Sequence, residues 1–283
     1  MREGLFTGFE IKMHSPGIAE ICFNRPERLN GMTHPLKRDL IETLVQAQMD
    51  DAVRVVLFTG TGRAFCAGDD LKGYLTAETE ADALVPPLPA GHSTAIGTYD
   101  GLRTVSQQVN VAIRSLDKLS IAAIGGIAVQ TGFSLALACD FRIAGASARM
   151  GSATLRFGLL PDEGGQYLLV QHMGVAKAMD FLMRKKIVEA EEALALGLVH
   201  EVVPDAMLHE RALALAEELA KGPQVSMRLL KRSIYNAAQL TFEQSLDEIA
   251  SKTAISDHHP DAREGGAAFA AKREPVFNAW LDK

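Results

Sequence analysis

Cysteine is scarce: Cys22, Cys66 and Cys139 are the only three in 283 residues. Their odd number, wide spacing and apolar surroundings exclude a disulfide framework and a clustered zinc site, and fit a reducing cytosol. Positive charge is in deficit as well, with 29 Lys and Arg against 35 Asp and Glu, a net charge of −6. That argues against a nucleic-acid groove, although two or three local cations suffice for an anionic small ligand. No apolar run approaches the ~20 residues of a membrane span; the longest surrounds Ser134 to Cys139. Met1 to Gly8 has charges at Arg2 and Glu3 and no hydrophobic h-region, so no signal peptide is expected and the location expected is cytoplasmic.

Several catalytic motifs are absent or incomplete. Gly60-Thr-Gly62 is followed by Phe65 where a dinucleotide fingerprint needs its third glycine, and no Walker lysine follows. His200-Glu201 lacks the second histidine of a zincin, and His258-His259-Pro-Asp261 reads as a cap for the helix after it, so no metal is expected. Gly132-Phe-Ser134 has the strand-to-helix setting of a nucleophile elbow but ends in Ala136, and a triad would need a base from His200, His209, His258 or His259.

What is present is an α/β pattern, 47% hydrophobic and 23% charged, without tandem repeats. Phe9–His14 and Ile18–Phe23 alternate around Ser15-Pro16-Gly17, a predicted hairpin. Thr33 precedes a helix to about Gln48, with Leu36, Leu40, Leu44 and Ala47 on one face. Arg54–Thr59 and Ser120–Val129 read as buried strands, and Leu102–Leu116 and Gly132–Cys139 as helices. Glu78–Gly91, with Pro86, Pro87 and Pro89, breaks every period and suggests a loop that shapes a pocket. From Gly164 onward the pattern is almost wholly helical, with a capping box at Thr241–Gln244. The expected division is an α/β core over residues 1–203 and a packed helical region over 204–283.

A turn at Thr131-Gly132 offers free N–H groups at the positive end of a helix. If Ala64–Leu71 aims another N–H at the same point, the pair forms an oxyanion hole able to stabilise a thioester enolate.

These segments carry a resemblance. Asn24-Arg-Pro26 with Leu29-Asn30, Gly62–Leu71, Leu135–Ala144, Gly158–Pro161, Ala193–Val199 and Arg263–Arg273 resemble, in that order, the motifs of the enoyl-CoA hydratase/isomerase (crotonase) family. The resemblance implies an α/β spiral of ββα units, a C-terminal helical trimerisation region, a trimer or hexamer, and an acyl-CoA substrate. No further cofactor is implied, nor a nucleic-acid or membrane partner. By motif, the oxyanion donors fall on the backbone N–H groups of Asp69 and Thr131. CoA would lie along Arg28, Ala67, Gly68 and Leu71, with Phe269 and Lys272 reaching its nucleotide end from a neighbouring subunit.

Two departures bear on the chemistry. The positions of the two glutamates of the family's hydratases hold Ser134 and Thr154, which would line the substrate but cannot titrate near neutrality. The usual triple glycine is reduced to Gln130-Thr131-Gly132. The remaining acids are Asp162 and Glu163; Asp162 stands where the resemblance places the working aspartate of dienoyl-CoA isomerases, ring-opened phenylacetyl-CoA isomerases and a chlorobenzoyl-CoA dehalogenase. Asp162 also reads as an N-cap for the next helix. The expectation is double-bond isomerisation through a thioester enolate, with Asp162 or Glu163 moving the proton. The alternatives are hydration of an unusual enoyl-CoA, hydrolysis or dehalogenation with Asp162 as nucleophile, and CoA binding without catalysis.

Overall fold

The computed structural model describes residues 1, 3–70, 84 and 94–281. Its first strands, β1 (Gly4–Phe6), β2 (Phe9–His14) and β3 (Ile18–Phe23), form an antiparallel meander. Gly17 takes φ +81° in the β2–β3 turn, a conformation that glycine adopts at little cost. Helix α1 (His34–Met49) follows, its first turn capped by the Thr33 hydroxyl, which accepts from the Leu36 N–H.

Three strand pairs come next: β4 (Val55–Gly60) with β5 (Ala64–Cys66), β6 (Leu119–Ile124) with β7 (Ile127–Val129), and β8 (Phe141–Gly145) with β9 (Arg149–Gly151). Helices α2 (Ala95–Gly101) and α3 (Gln107–Ser115), joined by a π-helical turn over Leu102–Ser106, precede the second pair; α4 (Thr131–Ala138) follows it. After β9 come α5 (Gly165–Met183), β10 (Ile187–Glu189), α6 (Ala190–Ala195) and β11 (Glu201–Val203). The first strand of each pair joins a seven-stranded sheet ordered β1-β2-β3-β4-β6-β8-β11, and the second joins a four-stranded sheet ordered β10-β9-β7-β5. Strands β4, β6, β8 and β11 run parallel, as do β5, β7 and β9. Each strand pair therefore turns a corner from one sheet to the other, which makes the chain a spiral of ββα units.

The corners correct one expectation. Ser120–Val129 is two strands in different sheets, because the chain bends at Gly125-Gly126. Gly126 has φ +65°, and a Cβ there would lie 2.1 Å from the Arg63 carbonyl oxygen, so only glycine fits the bend.

The continuous apolar run of β4 reflects burial on both faces. Val56 and Phe58 enter the core between the sheets with Phe23, Phe65 and Phe133, whereas Val55 and Leu57 face the helix α7 (Leu208–Lys221). That helix presents Ala212, Ala216 and Ala220, an i, i+4, i+8 stripe small enough for close approach to the sheet. The described chain beyond β11 is helical: after α7 come α8 (Gln224–Ala237), α9 (Phe242–Asp257) and α10 (Pro260–Ala270). The Thr241–Gln244 capping box forms, and the His259 ring accepts from the Asp261 N–H. Among the described residues, no helix is long and apolar enough to cross a membrane.

Candidate active site

The site begins at the end of β5. Asn30, buried at φ +55°, holds the surrounding turns: its amide donates to the Thr61 and Ala64 carbonyls at 2.9 and 2.7 Å, and its oxygen accepts the Arg25 N–H at 2.8 Å. The Ala67 N–H donates to Leu29 O at 3.0 Å, the Met32 N–H to Gly68 O at 2.9 Å and the Asp70 N–H to Met32 O at 2.9 Å. Alternate amides of an extended run point in opposite directions, so the Asp69 N–H faces away from Met32. Arg25 adds an ion pair to Asp70 at 2.9 Å, with the Arg28 guanidinium 4.0 Å from the same carboxylate. Arg28, Ala67 and Gly68 thus lie together along one edge, while Leu71 and all of the Glu78–Gly91 segment except Leu84 fall outside the described residues.

The turn before α4 runs beside this loop. A Cβ on Gly132 would lie 2.1 Å from Cys66 O, and one on Gly68 would lie 2.8 Å from the Gln130 Cβ. The Thr131 hydroxyl donates to Asp69 Oδ1 at 2.9 Å. The two segments therefore meet at three pairs, 66 with 132, 68 with 130, and 69 with 131. Thr131 is the first residue of α4, so its N–H has no acceptor inside the helix. Reduction of the triple glycine leaves this approach intact because the one glycine in tightest contact, Gly132, is retained.

Asp162 and Glu163 lie in the turn before α5. Two amides of α3, on one helical face, pin their backbone: Gln107 donates to Asp162 O at 2.9 Å and Asn110 to Glu163 O at 2.7 Å. Asp162 is not a helix cap. The capping position belongs to Gly164 at φ +90°, with no side-chain cap bond, which leaves the Asp162 carboxyl unclaimed by α5. Both acids line a hollow of about 430 Å³ together with Asn110, Arg114 and Tyr167.

Sequence reasoning overlooked Lys37. Fully buried at 0% exposure, it places its ammonium 2.8 Å from Asp69 Oδ1, 3.0 Å from Glu163 Oε1 and 2.9 Å from the Ser106 hydroxyl of the π-helical turn. Its signal was available: a lysine immediately after Leu36, at the start of an amphipathic helix, next to the face that packs inward. Burial raises the pKa of Glu163; the Lys37 charge opposes this and the Asp69 charge adds to it. Asp162 is also raised, chiefly by desolvation, with the Asp69 charge adding to it and its own N–H and Lys37 opposing.

The other expected residues are dispersed. Ser134 is buried in α4 against the start of α5, where a Cβ on Gly165 would meet its hydroxyl at 2.6 Å. None of the four expected bases is bonded to it: the His200 ring accepts from the Arg142 N–H, His209 binds Glu20, His258 binds Ala254 O and His259 caps α10. Thr154 is half-buried, 3.3 Å from the Ser152 hydroxyl. Phe269 is 87% exposed on α10, so within this chain it is not core, and Lys272 follows at φ +54° just beyond the helix. Cys22 is half-buried, Cys66 and Cys139 are buried, and none is bonded to another.

The chain is thus a spiral of ββα units in which the loop after β5 packs on the turn before α4, with the buried Glu163 tied to that loop through Lys37, and the comparisons show which class of enzyme has this fold. A family model described as enoyl-CoA hydratase/isomerase matches residues 13–279. The chain is 36% identical over 264 residues to the 1,2-epoxyphenylacetyl-CoA isomerase of Escherichia coli, covering 92% of this chain and 95% of that one. It is 34% identical over 287 residues to human enoyl-CoA hydratase domain-containing protein 2, mitochondrial, covering 97% and 92%. A crystal structure of enoyl-CoA hydratase from Bacillus anthracis superposes with TM-score 0.86 at 30% identity, over 95% of this chain and 98% of that one. The chain belongs to the enoyl-CoA hydratase/isomerase (crotonase) family and is an enzyme of that family.

Proposed function

We propose that the enzyme isomerises a double bond in an acyl-CoA thioester by way of an enolate. The backbone N–H groups of Asp69 and Thr131 hold the thioester oxygen, and Asp162, with Glu163 in support, moves the proton. The observation that carries this reading is the convergence of three segments: the Cys66–Asp69 loop packs on Gln130–Gly132, and Glu163 reaches Asp69 through Lys37. Two amides aimed at one oxygen act where charge develops. A carboxyl whose pKa is raised toward neutrality can take a proton from one carbon and return it to another. Ser134 and Thr154 supply no acid–base pair, which weighs against the two-glutamate route to hydration. The similarity to an Escherichia coli isomerase supports the same direction.

Hydration of an unusual enoyl-CoA is the second reading, favoured by the hydratase names of other relatives. Hydrolysis or dehalogenation would instead use Asp162 as nucleophile, and a chain that only binds CoA would turn over nothing. Enoyl-, dienoyl- and aryl-CoA thioesters incubated in heavy water and read by mass spectrometry separate these. Deuterium at the α or γ carbon supports the enolate; a mass gain of one water supports hydration; release of free CoA supports hydrolysis; no change in any thioester sinks the catalytic reading.

CoA in this reading is part of the substrate, with no separate cofactor or metal and no nucleic-acid or membrane partner, and the enzyme works in the cytoplasm. The exposed apolar side chains Leu159, Leu160, Phe242, Leu246, Ile255 and Phe269 support self-association as a trimer or hexamer. Phe269 and Lys272 would then meet the CoA nucleotide of a neighbouring subunit. Lys272→Ala is expected to weaken CoA about tenfold in calorimetry and CoA lacking its 3′-phosphate much less, as a lost charge-assisted contact would; equal losses would remove Lys272 from the site.

A further inference from the structure

A lysine at 0% exposure is costly unless its charge is compensated. Lys37 is compensated twice, by carboxylates on two loops that are distant in sequence. Asp69 belongs to the loop after β5, and its own backbone N–H is the donor assigned above to the thioester oxygen. Glu163 belongs to the turn before α5 and is the chain neighbour of Asp162. Both carboxylates lie within 3.0 Å of one nitrogen. The base of the clasp is rigid, since Lys37 stands in α1 and also donates to Ser106 at 2.9 Å.

We propose that Lys37 is a positioning residue: through Asp69 and Glu163 it ties the loop carrying the oxyanion donor to the loop carrying the proton carrier, and so fixes the distance between them. The proposal rests on the enolate reading and says which residue holds its two halves together. A donor displaced from the oxygen by a fraction of its hydrogen-bond length loses most of its effect, so a tie between these loops bears directly on turnover.

The groups facing Lys37 that could titrate are His34 on α1, Cys66 and Asp69 at the end of β5, and Asp162 and Glu163 before α5. Burial holds the Cys66 thiol up at about 12. Burial and the Lys37 charge hold His34 below its ordinary 6.5, so both are neutral at pH 7. The acid limb of activity therefore belongs to the carboxyls. Without the ammonium, the buried Glu163 carboxyl would lose the charge that opposes its desolvation, and its pKa would rise further.

The test uses acetoacetyl-CoA, a thioester that ionises to an enolate absorbing in the near ultraviolet, together with plain CoA in calorimetry. Lys37→Met and Asp69→Ala are compared with the wild type. Both variants are expected to bind CoA within about threefold of the wild type and to hold about tenfold less acetoacetyl-CoA as enolate at fixed pH. In Lys37→Met the acid limb of deuterium exchange moves up by about one pH unit. Electrostatics alone would move the two variants in opposite directions, since one removes a positive charge and the other a negative one. An enolate fraction that rises in Asp69→Ala, or that is unchanged in both variants, overturns the tie. Should Lys37→Met fail to fold, Asp69→Ala decides alone. A wild type with no enolate band overturns the enolate reading itself, and the role of Lys37 with it; a wild-type band that survives in both variants sinks only Lys37.

Discussion

Glu163 and Glu20 are buried almost equally, at 6% and 5% exposure, yet their proton affinities move apart. Glu20 on β3 is desolvated, but the Thr59 hydroxyl at 2.8 Å and the rings of His14 at 2.7 Å and His209 at 3.0 Å outweigh that, and its pKa falls. Glu163 is desolvated too, and the Lys37 ammonium and Thr131 hydroxyl beside it oppose this, but Lys37 is shared with Asp69, whose charge works against Glu163, and its pKa rises. The Glu20 cluster lines a cavity of about 860 Å³ with Lys12, Cys22 and Arg63, twice the size of the hollow beside Asp162, and neither proposed oxyanion donor lines it. Cavity size is therefore a poor guide in this molecule. A carboxyl whose donors outweigh its desolvation stays ionised and serves the fold, whereas one whose donors do not is readier to accept a proton.

Four substitutions would break or sharpen that contrast. Asp162→Asn is expected to remove solvent-deuterium exchange at the acyl carbon by ~10²–10⁴-fold, the effect of losing a positioned base. Because Asp162 caps no helix, folding and CoA binding should be normal; exchange that survives here but disappears in Glu163→Gln would move the role to the neighbour. Gly132→Ala comes next, since its Cβ would collide with Cys66 O and part Thr131 from Asp69. A fall of ~10²–10³ in kcat/KM is expected, as for a lost oxyanion donor, and wild-type kinetics would show that the two loops need not touch.

Glu20→Gln is expected to leave turnover unchanged but to lower stability by about 1.5–3 kcal/mol at pH 7 in urea unfolding. The depressed pKa means that this contribution is present above the ordinary value of 4.5 and is lost as pH falls through the folded value, so the difference should shrink below pH 4.5. A pH-independent difference would show that shape rather than charge holds the cluster. Smallest is Ser134→Ala, expected to cost at most about tenfold in rate. Labelling of Ser134 by a fluorophosphonate would restore the hydrolase reading.

Much of this was legible along the chain. The hairpin, α1 with its Thr33 cap, the buried β4 and the Thr241–Gln244 box follow from periodicity and capping chemistry acting within a few residues. The break at Gly125-Gly126 was missed because an apolar run looks the same whether it continues in one sheet or crosses to another. Asp162 read as a cap because Asp before a helix commonly is one; Gly164 took the position instead.

The sequence by itself determined the α/β class and the order of the motifs, which are matters of residue type and near-neighbour spacing, and the resemblance they carry put Ser134 and Thr154 where the family's hydratases would have glutamates. The tertiary structure alone decided that Lys37 meets Glu163 across 126 positions and Asp69 beside it, and that two buried glutamates differ in proton affinity. Proton affinity depends on which charges and donors lie within a few ångströms, and for groups so far apart in the chain only folding sets that distance.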